Sequence, residues 1–187
     1  MRSRQAMFLS LVAALALLPA AATAQEMMVE EHPEAGFRSL GPRTVVSFVR
    51  QTMPEPDAAE APVRAQRWNT LIHLTNTGNG PIAAAAVFVP SDGMDPMARR
   101  LGGIAAGQTR SVSVASLLGD AIAPGESVTG VVFLRFFAPV DDDDERRFYS
   151  QMVSAETIFE FPELPPQIIR LDVERPQVLA PQTRRRR

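Results

Sequence analysis

About eight short segments of β-forming residues follow one another along this chain, and they constrain its fold more than any other feature. Between them stand turn residues, as in Asn76-Thr77-Gly78-Asn79-Gly80, where Gly and Asn tolerate positive φ at little cost. No long amphipathic helix interrupts the series. The pattern predicts an all-β fold, either an antiparallel sandwich or a barrel. Because it is the more common of the two, we expect an immunoglobulin-like antiparallel β-sandwich with disordered termini. The segments are residues 43–50, 66–75, 82–89, 108–115, 127–137, 147–155, 157–161 and 168–173.

Alternation within the segments predicts which side chains face inward. In 66–75 the side chains of Trp68, Thr70, Ile72 and Leu74 share one face. Segment 82–89 follows the Asn-Gly turn, so we expect it to pair back on 66–75 as a hairpin. The most apolar segment, 127–137, is expected to be a central strand. One helical turn is expected in 115–121, and a break between two strands near Glu156.

The N-terminus has the three parts of a cleavable export signal. Arg2 and Arg4 precede the uncharged apolar stretch 7–18, and Ala22-Thr23-Ala24 supplies the small residues that signal peptidase requires. Cleavage before Gln25 is the prediction; the alternative is an uncleaved membrane anchor. No cysteine follows, so the chain has no lipobox. The sequence therefore predicts a periplasmic or secreted protein.

Four regions are expected: a signal peptide at 1–24, a flexible leader at 25–40, a β-sandwich domain at 41–173 and a disordered Arg-rich tail at 174–187.

The chain has no cysteine, which excludes disulfides, thiolate metal sites and cysteine nucleophiles. Without the signal it has seventeen arginines against twenty-one acidic residues, a net charge of −4. This balance argues against nucleic-acid binding.

Two turn-and-strand motifs resemble a known family. Residues 74–82 (LTNTGNGPI) and 124–133 (PGESVTGVVF) are similar to motifs of bacterial exported immunoglobulin-like domains, and most similar to the telokin-like domains of envelope lipoproteins. The resemblance covers roughly residues 41–137. It implies a sandwich with an adhesive or accessory role, and it carries over no catalytic residue. The chain departs from the family by lacking a lipobox and by having extra strands after Phe137.

Candidate chemistry is sparse. His32 lies in the expected leader, and His73 lies in a predicted strand. No ligand spacing, nucleophile elbow or phosphate loop is present, so we predict no catalytic, cofactor-binding or metal-binding residue and no cofactor. The acidic run 141–145 is expected to be a solvated loop. The minority interpretation of that run is weak calcium binding.

The four C-terminal residues form the one evident electrostatic feature. Four adjacent guanidinium groups could contact an anionic lipid or glycan, or the tail could have no partner. These residues are Arg184, Arg185, Arg186 and Arg187.

We therefore expect a non-enzymatic, exported β-sandwich that acts as a binding or accessory module in a bacterial cell envelope. Its exposed strand edges could pair with a strand of an envelope protein, with the loops 54–62 and 141–145 selecting the partner. The alternative is a small secreted hydrolase or metal-dependent enzyme that uses His73. The sequence does not determine the oligomeric state.

Overall fold

Two antiparallel β-sheets pack face to face in the computed structural model, which describes residues 36–54, 66–140, 147–162 and 164–175. The chain is an all-β sandwich, as the sequence predicted. No helix of this part of the chain is apolar and long enough for a membrane span. The elements are β1 (Phe37–Ser39), β2 (Thr44–Thr52), β3 (Arg67–Asn76), β4 (Ile82–Pro90), β5 (Met97–Ile104), β6 (Thr109–Ser113), α1 (Val114–Leu118), a 3-10 turn (Gly119–Ala121), β7 (Ser127–Pro139), β8 (Gln151–Glu160), β9 (Gln167–Arg170) and β10 (Val173–Glu174).

The six-stranded sheet has the strand order β10-β2-β7-β4-β5. Its centre is β7, whose thirteen residues pair with β4 on one side and with β2 on the other. The short β1 pairs with the end of β7, beyond the point where β2 stops. The prediction of a central strand in 127–137 is confirmed.

The four-stranded sheet has the order β6-β3-β8-β9. Strand β8 runs without interruption, so the predicted break near Glu156 is wrong. Glu156 pairs with Leu71 on one side and with Arg170 on the other, and its side chain points to the solvent face. Ala155 and Thr157 are buried on either side of Glu156, so Glu156 occupies an outward position of the strand. A carboxylate at such a position does not interrupt the strand.

Two predicted connections are wrong. β3 and β4 are not a hairpin, because residues 77–81 carry the chain from the four-stranded sheet to the six-stranded sheet. Segment 168–173 is not one strand either. Its first part is β9 of the four-stranded sheet, and its last residue begins β10 of the six-stranded sheet.

The core lies between the inner faces of the two sheets. Thr70, Ile72 and Leu74 of β3 are buried as the alternation predicted, and Phe88 of β4 is fully buried opposite them. Strand β4 is apolar on both faces, since Val87 also packs against Phe133 on the outer side of the six-stranded sheet. Burial of one such aromatic or aliphatic side chain contributes about 2 to 3 kcal/mol.

Two strands were not recognised in the sequence. β1 lies within the region expected to be a leader, so the sandwich extends from Phe37 to Glu174. β5 has the sequence MARRLGGI, whose two arginines and two glycines show no strand alternation. A β-bulge breaks the alternation of β5. Ala84 pairs with Gly102 and Ala85 pairs with Arg100, which leaves Leu101 as an extra residue.

Candidate functional site

A second β-bulge, in β2, produces an unusual backbone at Phe48. Val46 pairs with Val132 and Val49 pairs with Gly130, so β2 has one more residue than β7 over this interval. Phe48 has φ 57° and is the only non-glycine residue with positive φ in the described part of the chain. A non-glycine residue in this conformation costs on the order of 1 to 2 kcal/mol.

The bulge also turns the Phe48 side chain outward. Val46, Val49 and Gln51 are buried, whereas Phe48 is 80% exposed. An exposed phenyl ring gains nothing from the hydrophobic effect, and its backbone is strained. Neither property stabilises the sandwich, so Phe48 is a candidate for a residue retained for binding.

Two depressions lie on either side of the Phe48 side chain. The larger, about 380 Å³, opens beside Val131 and Thr129 of β7. The smaller, about 190 Å³, lies between the two sheets, and we call it the Phe48 slot. Residues of both sheets line it, together with Leu171 from the link between β9 and β10. The residues from the sheets are Phe48, Arg50, Trp68, Thr157 and Ile169.

Aromatic rings pack beside the slot. The ring of Trp68 stacks on that of Phe159, with centroids 3.7 Å apart and an interplanar angle of 13°. Phe161 meets Phe159 edge-on at 4.0 Å. The Arg50 guanidinium carbon lies 4.9 Å from the Trp68 ring centroid, within cation–π range. These contacts hold the wall of the slot in one arrangement.

Side chains of β2 and β3 connect the sheets beside the bulge. The Thr70 amide donates to Gln51 Oε1 at 3.0 Å, and the Trp68 amide donates to Thr52 Oγ1 at 3.0 Å. The Thr70 hydroxyl also donates to the Arg50 carbonyl. Because Gln51 and Thr70 are buried, the bond between them is protected from water. Together the three bonds position the bulge against the four-stranded sheet.

Strand β9 borders the slot and is an edge of the four-stranded sheet. Among the described residues it pairs with β8 alone, and all four of its residues are exposed. Ile168 is 64% and Ile169 is 45% exposed, on opposite faces of the strand. An edge with exposed aliphatic side chains and unpaired backbone groups is a template for strand pairing.

His73 lines neither the Phe48 slot nor the larger depression beside it. It is half-exposed on the outer face of the four-stranded sheet, where Nδ1 is 2.8 Å from Ser111 Oγ and Nε2 is 3.7 Å from Glu156 Oε1. Within the described ranges Glu156 is the one carboxylate paired with His73, and no group of three metal-ligating side chains occurs there. In the part of the chain that the structure describes, this row of Ser111, His73 and Glu156 is the arrangement that comes nearest to the alternative prediction of a His73 enzyme.

The His73→Ala variant is expected to lose less than about 1 kcal/mol of unfolding free energy, because its contacts are solvent-exposed and exposed pairs contribute little. Urea unfolding of the variant beside wild type measures this. A loss of several kcal/mol would show that the outer row, and not only the core, stabilises the four-stranded sheet.

The other candidate residues lie outside the described part of the chain. They are His32, the acidic run 141–145, most of the loop 54–62, and the arginines Arg184, Arg185, Arg186 and Arg187. Their expected roles remain predictions.

Comparison with known proteins gives no match: no family model, no curated protein and no solved structure matches this chain.

Phe48 was missed at the level of sequence, although one signal pointed to it. If β2 alternated strictly from Val46, the inward positions would be Phe48 and then Arg50. An arginine at an inward position conflicts with burial in a sandwich core. That conflict predicts a change of face between Val46 and Arg50, which the bulge supplies.

Proposed function

We propose that this chain is a non-enzymatic, exported β-sandwich that acts as a binding or accessory module in a bacterial cell envelope. It binds an extended segment of an envelope protein at β9 and the Phe48 slot. The observation that carries the proposal is the strained and exposed Phe48, which stands at the mouth of an apolar slot. Beside it lies the edge strand β9, which pairs with no described strand other than β8.

One extended peptide could pair with the edge of β9 and place a side chain in the Phe48 slot at the same time. A strand added to β9 lies about 4.8 Å farther out, and its side chains alternate between the two faces of the sheet. Side chains on the inner face would follow the row of Thr157 and Ile169 towards Phe48. Backbone pairing then supplies affinity, and the slot selects an apolar side chain.

The location outside the cytoplasm rests on the N-terminal pattern: the apolar stretch 7–18 followed by Ala22-Thr23-Ala24. A protein with that signal, no cysteine and no lipobox is expected to act in the envelope space or beyond it. The partner is accordingly an envelope protein.

The test is the variant Phe48→Gly. Glycine relieves the positive-φ strain of about 1 to 2 kcal/mol, and its greater freedom in the unfolded chain costs about 0.4 to 1 kcal/mol. We expect the unfolding free energy to equal or exceed that of wild type within about 1 kcal/mol. Binding is expected to be lost, because the phenyl ring and one side of the slot are removed.

Binding is measured by crosslinking in the cell envelope, with a photoreactive residue in place of Ile168. Wild type is expected to give one discrete protein adduct, which Phe48→Gly abolishes. The control is Phe148→Ala, which removes another exposed phenyl ring, 57% exposed, away from the slot. An adduct unaffected by Phe48→Gly, or abolished equally by Phe148→Ala, would refute the proposal.

A further inference from the structure

A basic cleft lies on the opposite side of the sandwich from β9 and β10. It has a volume of about 430 Å³ and is bordered by β5 of the six-stranded sheet and β6 of the four-stranded sheet. Three of its nine lining residues are arginines, and none is acidic. The lining residues are Arg99, Arg100, Leu101, Arg110, Ser111, Val112, Ser113, Ser116 and Leu117.

The bulge and two glycines set the positions of the arginines. Leu101, the extra residue of β5, is buried, and Arg99 Nε reaches across to donate to the Leu117 carbonyl at 3.4 Å. The Arg99 guanidinium occupies the space where a side chain at Gly119 would begin. Arg110, from the other sheet, lies 3.2 Å from the corresponding position at Gly102.

The three serine hydroxyls that line the cleft are engaged within the protein, and Ser111 Oγ lies 2.8 Å from His73 Nδ1. Ser113 Oγ donates to Asn69 Oδ1, and Ser116 Oγ donates to the Ser113 carbonyl, so both hydroxyl protons are used within the protein. The Arg110 guanidinium, by contrast, has no hydrogen-bond partner among the described residues. Each guanidinium carries five N–H donors in a planar fork that fits phosphate oxygens.

We propose that the cleft between β5 and β6 binds a phosphate group, held by Arg99 and Arg110, on a small organic molecule or a lipid headgroup. Positive charge in a concave site raises the local concentration of anions, although the whole chain has a formal net charge of −2. The volume exceeds that of a phosphate alone, and Leu101, Val112 and Leu117 offer apolar surface to the organic part. This site is independent of the Phe48 slot.

The first measurement is a titration of the processed chain with inorganic phosphate, followed by NMR of the backbone amides. We expect shifts at Leu101, Gly102 and Ser111. Arg110→Gln is expected to weaken binding at least about tenfold, because a charge-assisted contact is lost. Arg110→Gln leaves the Arg99 contact with the Leu117 carbonyl intact, so the fold is expected to remain.

The matched control is Arg170→Gln. It removes the same charge from the exposed strand β9, on the other side of the sandwich, and it is expected to change phosphate affinity less than about twofold. Equal weakening by Arg110→Gln and Arg170→Gln would show a general charge effect and would overturn the proposal, as would the absence of phosphate-dependent shifts in the cleft.

Two further probes distinguish a soluble phosphate ester from a lipid headgroup as the ligand. Glycerol 3-phosphate tests a soluble ester, and vesicles containing phosphatidylglycerol test a lipid headgroup. Binding of either probe that depends on Arg110 supports the site and assigns the source. Failure of both probes refutes it, whatever the outcome at Phe48.

Discussion

Replacement of Asn76 by alanine is expected to lower the unfolding free energy by about 3 to 5 kcal/mol, although the residue belongs to an apparently simple turn. Asn76 is fully buried at the end of β3. Its Nδ2 donates to the carbonyls of Gly80 at 2.8 Å and Ile104 at 3.0 Å, and its Oδ1 accepts from the Gly78 amide at 3.0 Å.

The size of the effect follows from what the alanine variant leaves behind. The Gly80 and Ile104 carbonyls lose a donor in a buried place, at a cost of about 1 to 3 kcal/mol each. The Gly78 amide loses its bond to Asn76 Oδ1 and keeps a longer one, 3.2 Å, to the Ser150 carbonyl. The Asn76 side chain joins the end of β3 to the start of β4 and the end of β5, so it holds the crossing between the sheets. Urea unfolding provides the measurement.

The control for Asn76 is its neighbour Thr77, which is exposed. Thr77→Ala is expected to change stability by less than about 0.5 kcal/mol. A loss of less than 1 kcal/mol in Asn76→Ala would mean that water replaces the side chain and that the crossing does not depend on it.

The second large effect is expected for Gly130→Ala in the central strand β7. Gly130 pairs with Val49 at the bulge and with Pro90 of β4. A β-carbon there would overlap the Val89 carbonyl oxygen and would lie 2.6 Å from Phe88 Cζ. Because a buried ring and a sheet backbone must move together, we expect a loss of about 3 kcal/mol.

Gly103→Ala is the matched control for Gly130, since it places the same methyl group in the six-stranded sheet. The nearest atom to its β-carbon is the Ile82 carbonyl oxygen at 3.9 Å, an ordinary contact. Alanine is favoured over glycine in a strand by roughly 0.5 to 1 kcal/mol, so this variant is expected to gain stability. Equal melting temperatures for the two variants would contradict the steric explanation.

Local pattern was sufficient to predict the class of fold and the faces of β3. Ile72 and Leu74 are inward in the structure because a half-buried strand alternates with period two, and that period is visible in sequence. Which strands pair with one another was harder to predict from the sequence. A glycine-asparagine bend is compatible with a hairpin and also with a crossing, and the choice depends on the partner β7, which takes β4 away from β3.

The sequence indicated at most a change of face in β2, and for a physical reason it could not predict the geometry of the two candidate sites. Both arise from bulges, and a bulge is defined by the register of a second strand distant in sequence. The Phe48 ring is outward only because Val49 pairs with Gly130. Arg99 and Arg110 meet at one cleft only because β5 and β6, in different sheets, end the sandwich on the same side.

The order in which the strands alternate between the sheets has a kinetic consequence. Of the connections between the described strands, only β4–β5 and β8–β9 are hairpins, and most of the others change sheet. Few native pairings can therefore form before distant parts of the polypeptide have met, which raises the entropic barrier to the transition state. Refolding from denaturant is accordingly expected in milliseconds to seconds rather than microseconds, with β4 and β7 exposed to aggregation until they pair.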